Sequence, residues 1–175
     1  MTPLTHPIPR RQVCTFMDSP LGRLTLVATD TGLAAVLWEN DRPTRVPVQS
    51  PVEQEDHPML SSVRRQLDEY FSGRRRTFAI AFDVDGTGFQ KDVWAALRTI
   101  PFGETRSYQD IAAQIGRPRA VRAVGAANGR NPVSIITPCH RVIGANGHLT
   151  GFAAGLDTKA RLLAFEGAAP GTLFG

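Results

Sequence analysis

The pattern of apolar residues changes near residues 84–86, and this change most limits the folds that the chain can adopt. Before it, three short apolar stretches are separated by the turn sequences Ser19–Gly22 and Asp30–Gly32, which predicts a small antiparallel sheet. After it, apolar residues recur at helical spacing. A sheet followed by helices predicts an α+β protein with two lobes, and 175 residues suffice for one good core or two small ones that support each other.

The first lobe is predicted to be a sheet that carries one helix. The expected strands cover residues 13–17, 23–29, 33–38 and 78–82. An apolar stripe from Leu60 to Phe71 predicts the helix, and the polar, proline-rich stretch 39–57 predicts a surface connection. Because residues 13–85 contain no catalytic motif, we interpret them as a scaffold domain, preceded by a loose arm over residues 1–12.

The second lobe, residues 86–175, is predicted to be mostly helical and to contain a helix-turn-helix. Thr87 and Gln90 have the spacing of a capping box that starts a helix running to residue 100. Ser107 is expected to cap the next helix, and Gly116 to end it shortly before a third helix over residues 119–128. Two short helices joined by a tight glycine turn are typical of a DNA-binding motif. A last helix is expected over residues 157–166.

The sequence around the second of two cysteines suggests a reactive thiol. Cys139 follows an apolar stretch and Pro138, and it precedes His140 and Arg141, which predicts a strand that delivers the thiol to a turn. A neighbouring imidazole or guanidinium lowers the pKa of a thiol and so activates it as a nucleophile. A free cysteine near a strand end is also often a small buried hydrophobic residue, and this motif alone leaves both interpretations open.

Positive charge is concentrated in the second lobe. Seven arginines but only two acidic residues lie between Arg98 and Arg141, whereas the whole chain has a net charge of +4. This predicts a polyanionic partner such as nucleic acid, with a solvated basic face as the alternative. Ala123, Gly125 and Ala126 leave the third helix with a face of small residues, which allows close approach to a DNA minor groove or, alternatively, close helix packing.

Several classes of protein are disfavoured by the sequence. Two cysteines are too few for a secreted disulfide framework, and the sequence has neither a charged-then-apolar leader nor a long apolar run. We therefore expect a cytoplasmic protein with no membrane partner. In the first lobe Cys14, His6 and His57 are too few and too scattered for a convincing zinc site, so we expect no metal and no cofactor.

Taken together, these residues resemble the O6-alkylguanine-DNA alkyltransferase family, also called methylated-DNA–protein-cysteine methyltransferases. The similarity spans roughly residues 87–167, and the first lobe resembles the RNase H-like domain of the family mainly in its layout. The matching segments are Phe89–Trp94, Ile100–Thr105, Ser107-Tyr108, Ala120–Gly125, Asn131-Pro132, Pro138–Val142 and Leu163–Gly167.

The resemblance implies DNA repair by direct reversal. Cys139 would take the alkyl group from O6 of guanine in duplex DNA, and each molecule would react once because a thioether has no good leaving group. The relay of the family would consist of Cys139, a water molecule, His140 and Glu166, and Asn131 would brace the active-site turn through side-chain hydrogen bonds.

The resemblance also assigns DNA contacts. Arg122 would enter the base stack in place of a flipped nucleotide, and Tyr108 would crowd its phosphate and donate a hydrogen bond to the purine. Ala123, Ala126 and Arg119 would contact the DNA beside Arg122. The expected partner of a monomeric protein is double-stranded DNA containing O6-alkylguanine, and activity on O4-alkylthymine is left open.

The base pocket is expected to be formed by Val142, Phe152, Ala153 and Ala154. Phe152 stands where the family usually has tyrosine, so the aromatic wall is kept without its hydroxyl, and the preferred size of the alkyl group is left open. Two alternative functions are a lesion-binding module without repair activity, and a cysteine hydrolase that uses the same Cys-His-Glu set.

Overall fold

The computed structural model describes residues 10–168 and begins with a four-stranded sheet. Its strands are β1 (Val13–Ser19), β2 (Gly22–Ala28), β3 (Leu33–Trp38) and β4 (Val52–Glu53). The order is β3-β2-β1-β4, with β1, β2 and β3 antiparallel and β4 parallel to β1. The first three strands confirm the prediction. The prediction missed β4 because its two residues are exposed and show no apolar alternation. Of the loose arm expected over residues 1–12, residues 1–9 lie outside the described part.

One helix, α1 (Pro58–Phe71), packs on this sheet as predicted, but the strand expected over residues 78–82 is wrong. Only a single bridge joins Phe82 to Leu33. The buried side chain of Gln66 donates to the Ala79 carbonyl at 3.1 Å and accepts from the Ala79 amide at 2.9 Å. Because a side chain satisfies the backbone of this segment, it needs no neighbouring strand.

In the second lobe, residues 86–168 form four α-helices. They are α2 (Gly88–Leu97), α3 (Tyr108–Gln114), α4 (Val121–Gly129) and α5 (Leu156–Phe165). The Thr87–Gln90 capping box is present at the start of α2, and Ser107 and Asp110 form another at the start of α3. Gly116 has a φ of 74°, which ends this helix segment before the tight turn to α4. The helix-turn-helix is therefore present, although α2 ends three residues earlier than expected and α4 begins two residues later.

The chain reaches Cys139 through a turn, so the strand expected before this residue is wrong. Ile135 has a φ of 73°, outside the range of a strand, and Cys139–Arg141 form a single 3-10 turn. The chain then forms β6 (Val142–Ile143), which pairs in parallel with β5 (Arg106–Ser107) just before α3. The turn that carries the thiol is thus joined directly to the start of the helix-turn-helix.

The two lobes share a hydrophobic core. Val133, Ile135 and Leu162 from the second lobe pack in the same cluster as β2, β3 and α1. A separate cluster holds α2, α3 and α4 together with Cys139. The α+β architecture predicted from the sequence is confirmed, and burial of apolar residues from both lobes fixes the active-site turn between them.

Candidate active site

Cys139 opens its 3-10 turn from inside the protein. Only 5% of the residue is exposed, and it belongs to the apolar cluster that includes Val142, with Tyr108 and Phe152 packed against that cluster. Burial raises the pKa of the Cys139 thiol, and the Asn131 side chain and the positive charge of Lys159 oppose this effect without overcoming it. The lowered pKa expected from the neighbouring His140 is therefore not found, and the resting sulfur is a protonated thiol.

A buried carboxylate organises the residues that follow Cys139. Glu166, at the C-terminal end of α5, accepts hydrogen bonds from His140 Nε2 at 2.9 Å, Arg141 Nε at 2.8 Å and Arg141 Nη2 at 2.8 Å. The Tyr70 hydroxyl donates to the same carboxylate at 2.7 Å. Burial raises the pKa of Glu166, but the hydrogen bonds from His140 and Arg141 outweigh it and hold the pKa well below its usual range. Glu166 is thus ionised.

The carboxylate fixes the protonation of the imidazole. An acceptor at 2.9 Å requires a proton on Nε2 of His140, which leaves Nδ1 as the acceptor nitrogen of the neutral ring. Nδ1 is buried and has no hydrogen-bond partner among the described residues. Burial lowers the pKa of His140, and Glu166 opposes this effect. A neutral imidazole with a free basic nitrogen can accept a proton.

Asn131 braces the turn before the cysteine. Its side chain is fully buried, donates to the Thr137 carbonyl at 2.7 Å and accepts from the Val133 amide at 3.0 Å. These two bonds satisfy backbone groups that a strand would otherwise pair, so the chain turns tightly between residues 133 and 138.

Lys159 was not predicted as part of the site. It is fully buried on α5, and its ammonium donates to the Val142 carbonyl at 2.6 Å and to the Thr150 carbonyl at 2.8 Å. Burial lowers the pKa of Lys159 to about 8, although Cys139 opposes this effect. The lysine therefore ties the end of the active-site turn to the loop that carries Phe152. Lys159 lies three residues before the apolar Leu162 and therefore on the same face of the helix, which was the one indication in the sequence that it is buried.

A cavity of about 750 Å³ is lined by Tyr108 and Phe152, which also pack against the apolar cluster that contains Cys139. Tyr108, Gly125 and Ala126 line it on one side, and Phe152 and Ala153 line it on another. Val142 and Ala154, which were also expected in the pocket, are not among its lining residues: Val142 is fully buried in the cluster with Cys139, and Ala154 is half-buried. Phe152 also packs edge-on against Trp38 of β3, with 5.8 Å between ring centres. The Tyr108 hydroxyl accepts from Thr150 at 2.9 Å.

Two arginines of the first lobe, which we interpret as a scaffold domain, also lie at the cavity. Arg42 and Arg45, in the loop after β3, line the same cavity. Arg45 donates to the Asn131 carbonyl at 2.7 Å and pairs with Asp41 at 2.5 Å. The connection 39–57 is polar and rich in proline, with only three valines, and nothing in this composition indicates these contacts.

The outer face of the helix-turn-helix is exposed and basic. Arg122 and Ala123 on α4 are exposed, as is Arg119 in the turn before it, whereas Val124 faces the core. Arg122 takes part in no ion pair among residues 10–168. The small residues Gly125 and Ala126 lie between this face and the cavity. Backbone could therefore approach a duplex closely along α4.

Within residues 10–168 no group of three histidine, cysteine or acidic side chains lies close enough to hold a metal ion. In the same part of the chain no helix has the length and apolar character needed to span a membrane. The site consists of protein side chains: a buried thiol, an imidazole bonded to a carboxylate, and a cavity that opens beside a basic helix-turn-helix. Together these define a helix-turn-helix protein with a buried cysteine next to a histidine–carboxylate pair.

Comparison with known proteins gives the family. Residues 12–84 match the model of the 6-O-methylguanine DNA methyltransferase ribonuclease-like domain, and residues 88–168 match that of its DNA binding domain. The chain belongs to this family, which confirms the resemblance drawn from the sequence.

Relatives agree over most of their length. A methylated-DNA–protein-cysteine methyltransferase of Methanosarcina acetivorans is 49% identical over 153 residues, covering 87% of this chain and 96% of that protein. One from Mycolicibacterium paratuberculosis is 49% identical over 150 residues, covering 86% and 89%. The crystal structure of Mycobacterium tuberculosis OGT in complex with DNA matches with a TM-score of 0.79 and 46% identity, covering 87% of this chain and 91% of that one.

Proposed function

We propose that this protein repairs O6-alkylguanine in double-stranded DNA by moving the alkyl group irreversibly to Cys139. The observation that carries the proposal is the juxtaposition of a buried thiol with the Glu166–His140 pair, bonded at 2.9 Å, next to a cavity under a helix-turn-helix. Membership of the methyltransferase family supports the reaction. The protein acts as a monomer in the cytoplasm, where its two free cysteines stay reduced.

The relay removes the thiol proton as the reaction proceeds. Because burial raises the pKa of Cys139, little thiolate exists before the substrate arrives. A water molecule passes the proton from the sulfur to Nδ1 of His140, and Glu166 stabilises the resulting imidazolium. Asn131 keeps the turn in the shape that presents the sulfur.

The bond changes balance without a cofactor. The sulfur bonds to the alkyl carbon while the bond between that carbon and O6 breaks, and the electron pair stays on the guanine oxygen. One proton returns to the base, so the products are guanine and S-alkylcysteine. Burial raises the pKa of Tyr108 and keeps it protonated, and its hydroxyl accepts from Thr150, so its own proton is available to the purine.

The damaged nucleotide has to leave the duplex to reach the recessed sulfur. Arg122 is exposed on α4 and takes its place in the base stack, while Ala123, Ala126 and Arg119 follow the DNA backbone. The flipped base enters between Tyr108 and Phe152 and reaches Val142, Ala153 and Ala154. Phe152 supplies an apolar wall without a hydroxyl. Whether the cavity also accepts O4-alkylthymine, a smaller base, can be measured with duplex DNA that contains it.

The test is intact-mass spectrometry after mixing with excess duplex DNA that contains O6-methylguanine. We expect one added methyl group per molecule, located on Cys139 after digestion, and none in the variant Cys139→Ala, which should still bind the lesion. Sustained turnover would indicate the cysteine hydrolase instead. Lesion binding with no mass change in the unaltered protein would indicate the binding module, and either result contradicts the proposal.

Base flipping has a test of its own. Arg122→Ala should slow transfer from duplex DNA by about 10-fold to 100-fold, as expected if part of the few kcal/mol needed for flipping is lost. Reaction with the free base O6-benzylguanine should stay unchanged. Arg65→Ala removes the same charge from an exposed position on α1 and is the matched control. Equal effects of the two variants on duplex repair would show that Arg122 contributes only net charge.

A further inference from the structure

Tyr70 connects the first lobe to the reactive side chains. It lies near the end of α1, is fully buried, and its hydroxyl donates to Glu166 Oε1 at 2.7 Å across a sequence separation of 96 residues. The same oxygen accepts from His140 Nε2 at 2.9 Å and from Arg141 Nη2 at 2.8 Å. One carboxylate oxygen therefore receives three donors, and one of them comes from the lobe interpreted as scaffold.

The Tyr70 ring is held so tightly that its hydroxyl has a fixed direction. Phe71, Phe78, Phe102 and Phe165 surround it, with ring centres between 5.1 and 6.1 Å away. Burial raises the pKa of Tyr70, so the hydroxyl keeps its proton and always acts as the donor. If packing alone mattered, phenylalanine would serve equally well in this aromatic cluster. The hydroxyl aimed at Glu166 is the part that packing does not explain.

A donor to a carboxylate lowers its basicity, because the hydrogen bond stabilises the ionised form. The charged and titratable groups that face His140 are Glu166, Arg141, Lys159 and, next to it in the chain, Cys139. Of these, Glu166 alone pulls the pKa of His140 upward through a direct hydrogen bond. A more basic Glu166 would hold the imidazolium more strongly, so that His140 would become neutral only at higher pH.

We propose that Tyr70 is a positioning residue for alkyl transfer, which acts by restraining the Glu166 carboxylate and thereby setting the pH at which His140 becomes a competent base. This inference rests on the proposed function of Cys139 and His140. It gives the first lobe a role in the reaction that its sequence does not reveal, since Tyr70 is bonded to Glu166 and is not among the residues that line the cavity.

The experiment measures the single-turnover rate of methyl transfer from saturating duplex DNA between about pH 5 and about pH 8, the range in which histidine changes charge. In the variant Tyr70→Phe we expect the acid limb of the profile to move up by about one pH unit. A shift of this size corresponds to roughly the free energy that a hydrogen bond to a charged group contributes. Below the limb this means a rate about tenfold lower.

Thr15→Val is the matched control, because it removes a buried hydroxyl of the same lobe that contacts Arg64 and not Glu166. Its acid limb should coincide with that of the unaltered protein. A Tyr70→Phe profile that is merely scaled down, with its limb in place, would overturn the proposal. Should the unaltered protein fail to transfer methyl groups, the proposed function would fail first, so the two failures are distinguishable.

A second variant keeps the proposal testable if Tyr70→Phe does not fold. Site-specific replacement of Tyr70 by 3,5-difluorotyrosine keeps the ring and makes the hydroxyl a stronger donor. The stronger bond should lower the basicity of Glu166 further and move the acid limb down in pH, opposite to the effect of phenylalanine. An acid limb that stays in place or moves up would contradict the assignment. A hydroxyl with a purely structural role would not move the limb in opposite directions in the two variants.

Discussion

Replacing Glu166 by glutamine should destabilise the folded protein strongly, and the size of the loss follows from what the carboxylate contacts. Glu166 is buried and is the acceptor for both Nε and Nη2 of Arg141, itself only 5% exposed. In the variant Glu166→Gln the guanidinium keeps its charge and retains only the Ile100 carbonyl, at 2.6 Å, as an acceptor outside the altered residue. A charge then remains in the protein interior without its counter-charge.

Breaking a buried ion pair on one side costs about 3–5 kcal/mol, because the partner is left uncompensated. A domain of this kind has a free energy of unfolding of roughly 5–15 kcal/mol, so the variant should lose a large share of it. The amide also presents two donors where Arg141, His140 and Tyr70 all donate, which adds unfavourable contacts.

Urea denaturation at neutral pH, followed by circular dichroism, measures the change. Glu104→Gln is the matched control, because Glu104 pairs with Arg106 at 3.2 Å on the surface, where such a pair contributes about 0–1 kcal/mol. If Glu166→Gln loses no more stability than Glu104→Gln, the argument that the buried carboxylate holds this region together is wrong.

Three further predictions concern titration and packing. Burial lowers the pKa of His140, so near pH 6.5 this residue binds fewer protons in the folded protein than in the unfolded chain. The free energy of unfolding should therefore fall as pH decreases through this range. The slope of the free energy of unfolding against pH should be smaller in His140→Asn. Burial raises the pKa of Cys139. The rate of its alkylation by iodoacetamide should therefore rise at a higher pH in the native protein than in the urea-unfolded chain. Gly32→Ala should cost about 1–3 kcal/mol, since its Cβ would lie 2.8 Å from the Ala81 carbonyl oxygen, whereas Gly88→Ala has open space and should cost nothing in thermal unfolding. A free energy of unfolding that does not depend on pH would refute the first prediction, and identical alkylation profiles would refute the second. Equal melting temperatures of the two glycine variants would refute the third.

Local chemistry made much of the fold predictable. The Thr87–Gln90 and Ser107–Asp110 capping boxes act between residues three apart, so the helices they start could be located from the sequence. Two strands were predicted that do not form, one over residues 78–82 and one before Cys139, and both errors have the same physical cause. The side chains of Gln66 and Asn131 take over backbone hydrogen bonds in these segments, 13 residues away for Gln66 and two and six residues away for Asn131. Apolar composition alone does not reveal such side-chain contacts.

The candidate site was predictable where a motif carried it and not where tertiary contacts did. The motif itself singles out Cys139 and His140, the resemblance adds Glu166, and the structure brings His140 and Glu166 to 2.9 Å. Tyr70 lies within the predicted first-lobe helix, and nothing in the sequence marks it as part of the site, because its partner lies 96 residues away. The direction of the pKa shift of Cys139 was also missed, since burial outweighs neighbouring charges and the sequence does not give its extent.

The pairing of Arg106–Ser107 with Val142–Ile143 has a mechanical consequence. Ser107 caps the helix pair that would receive DNA, and Val142 directly follows the turn with the thiol, so the two regions are parts of one short ladder of main-chain bonds. If the helix pair receives the duplex, this ladder ties the position of the DNA to the position of the sulfur. The seating of the DNA and the placement of the sulfur would therefore depend on the same short stretch of paired backbone.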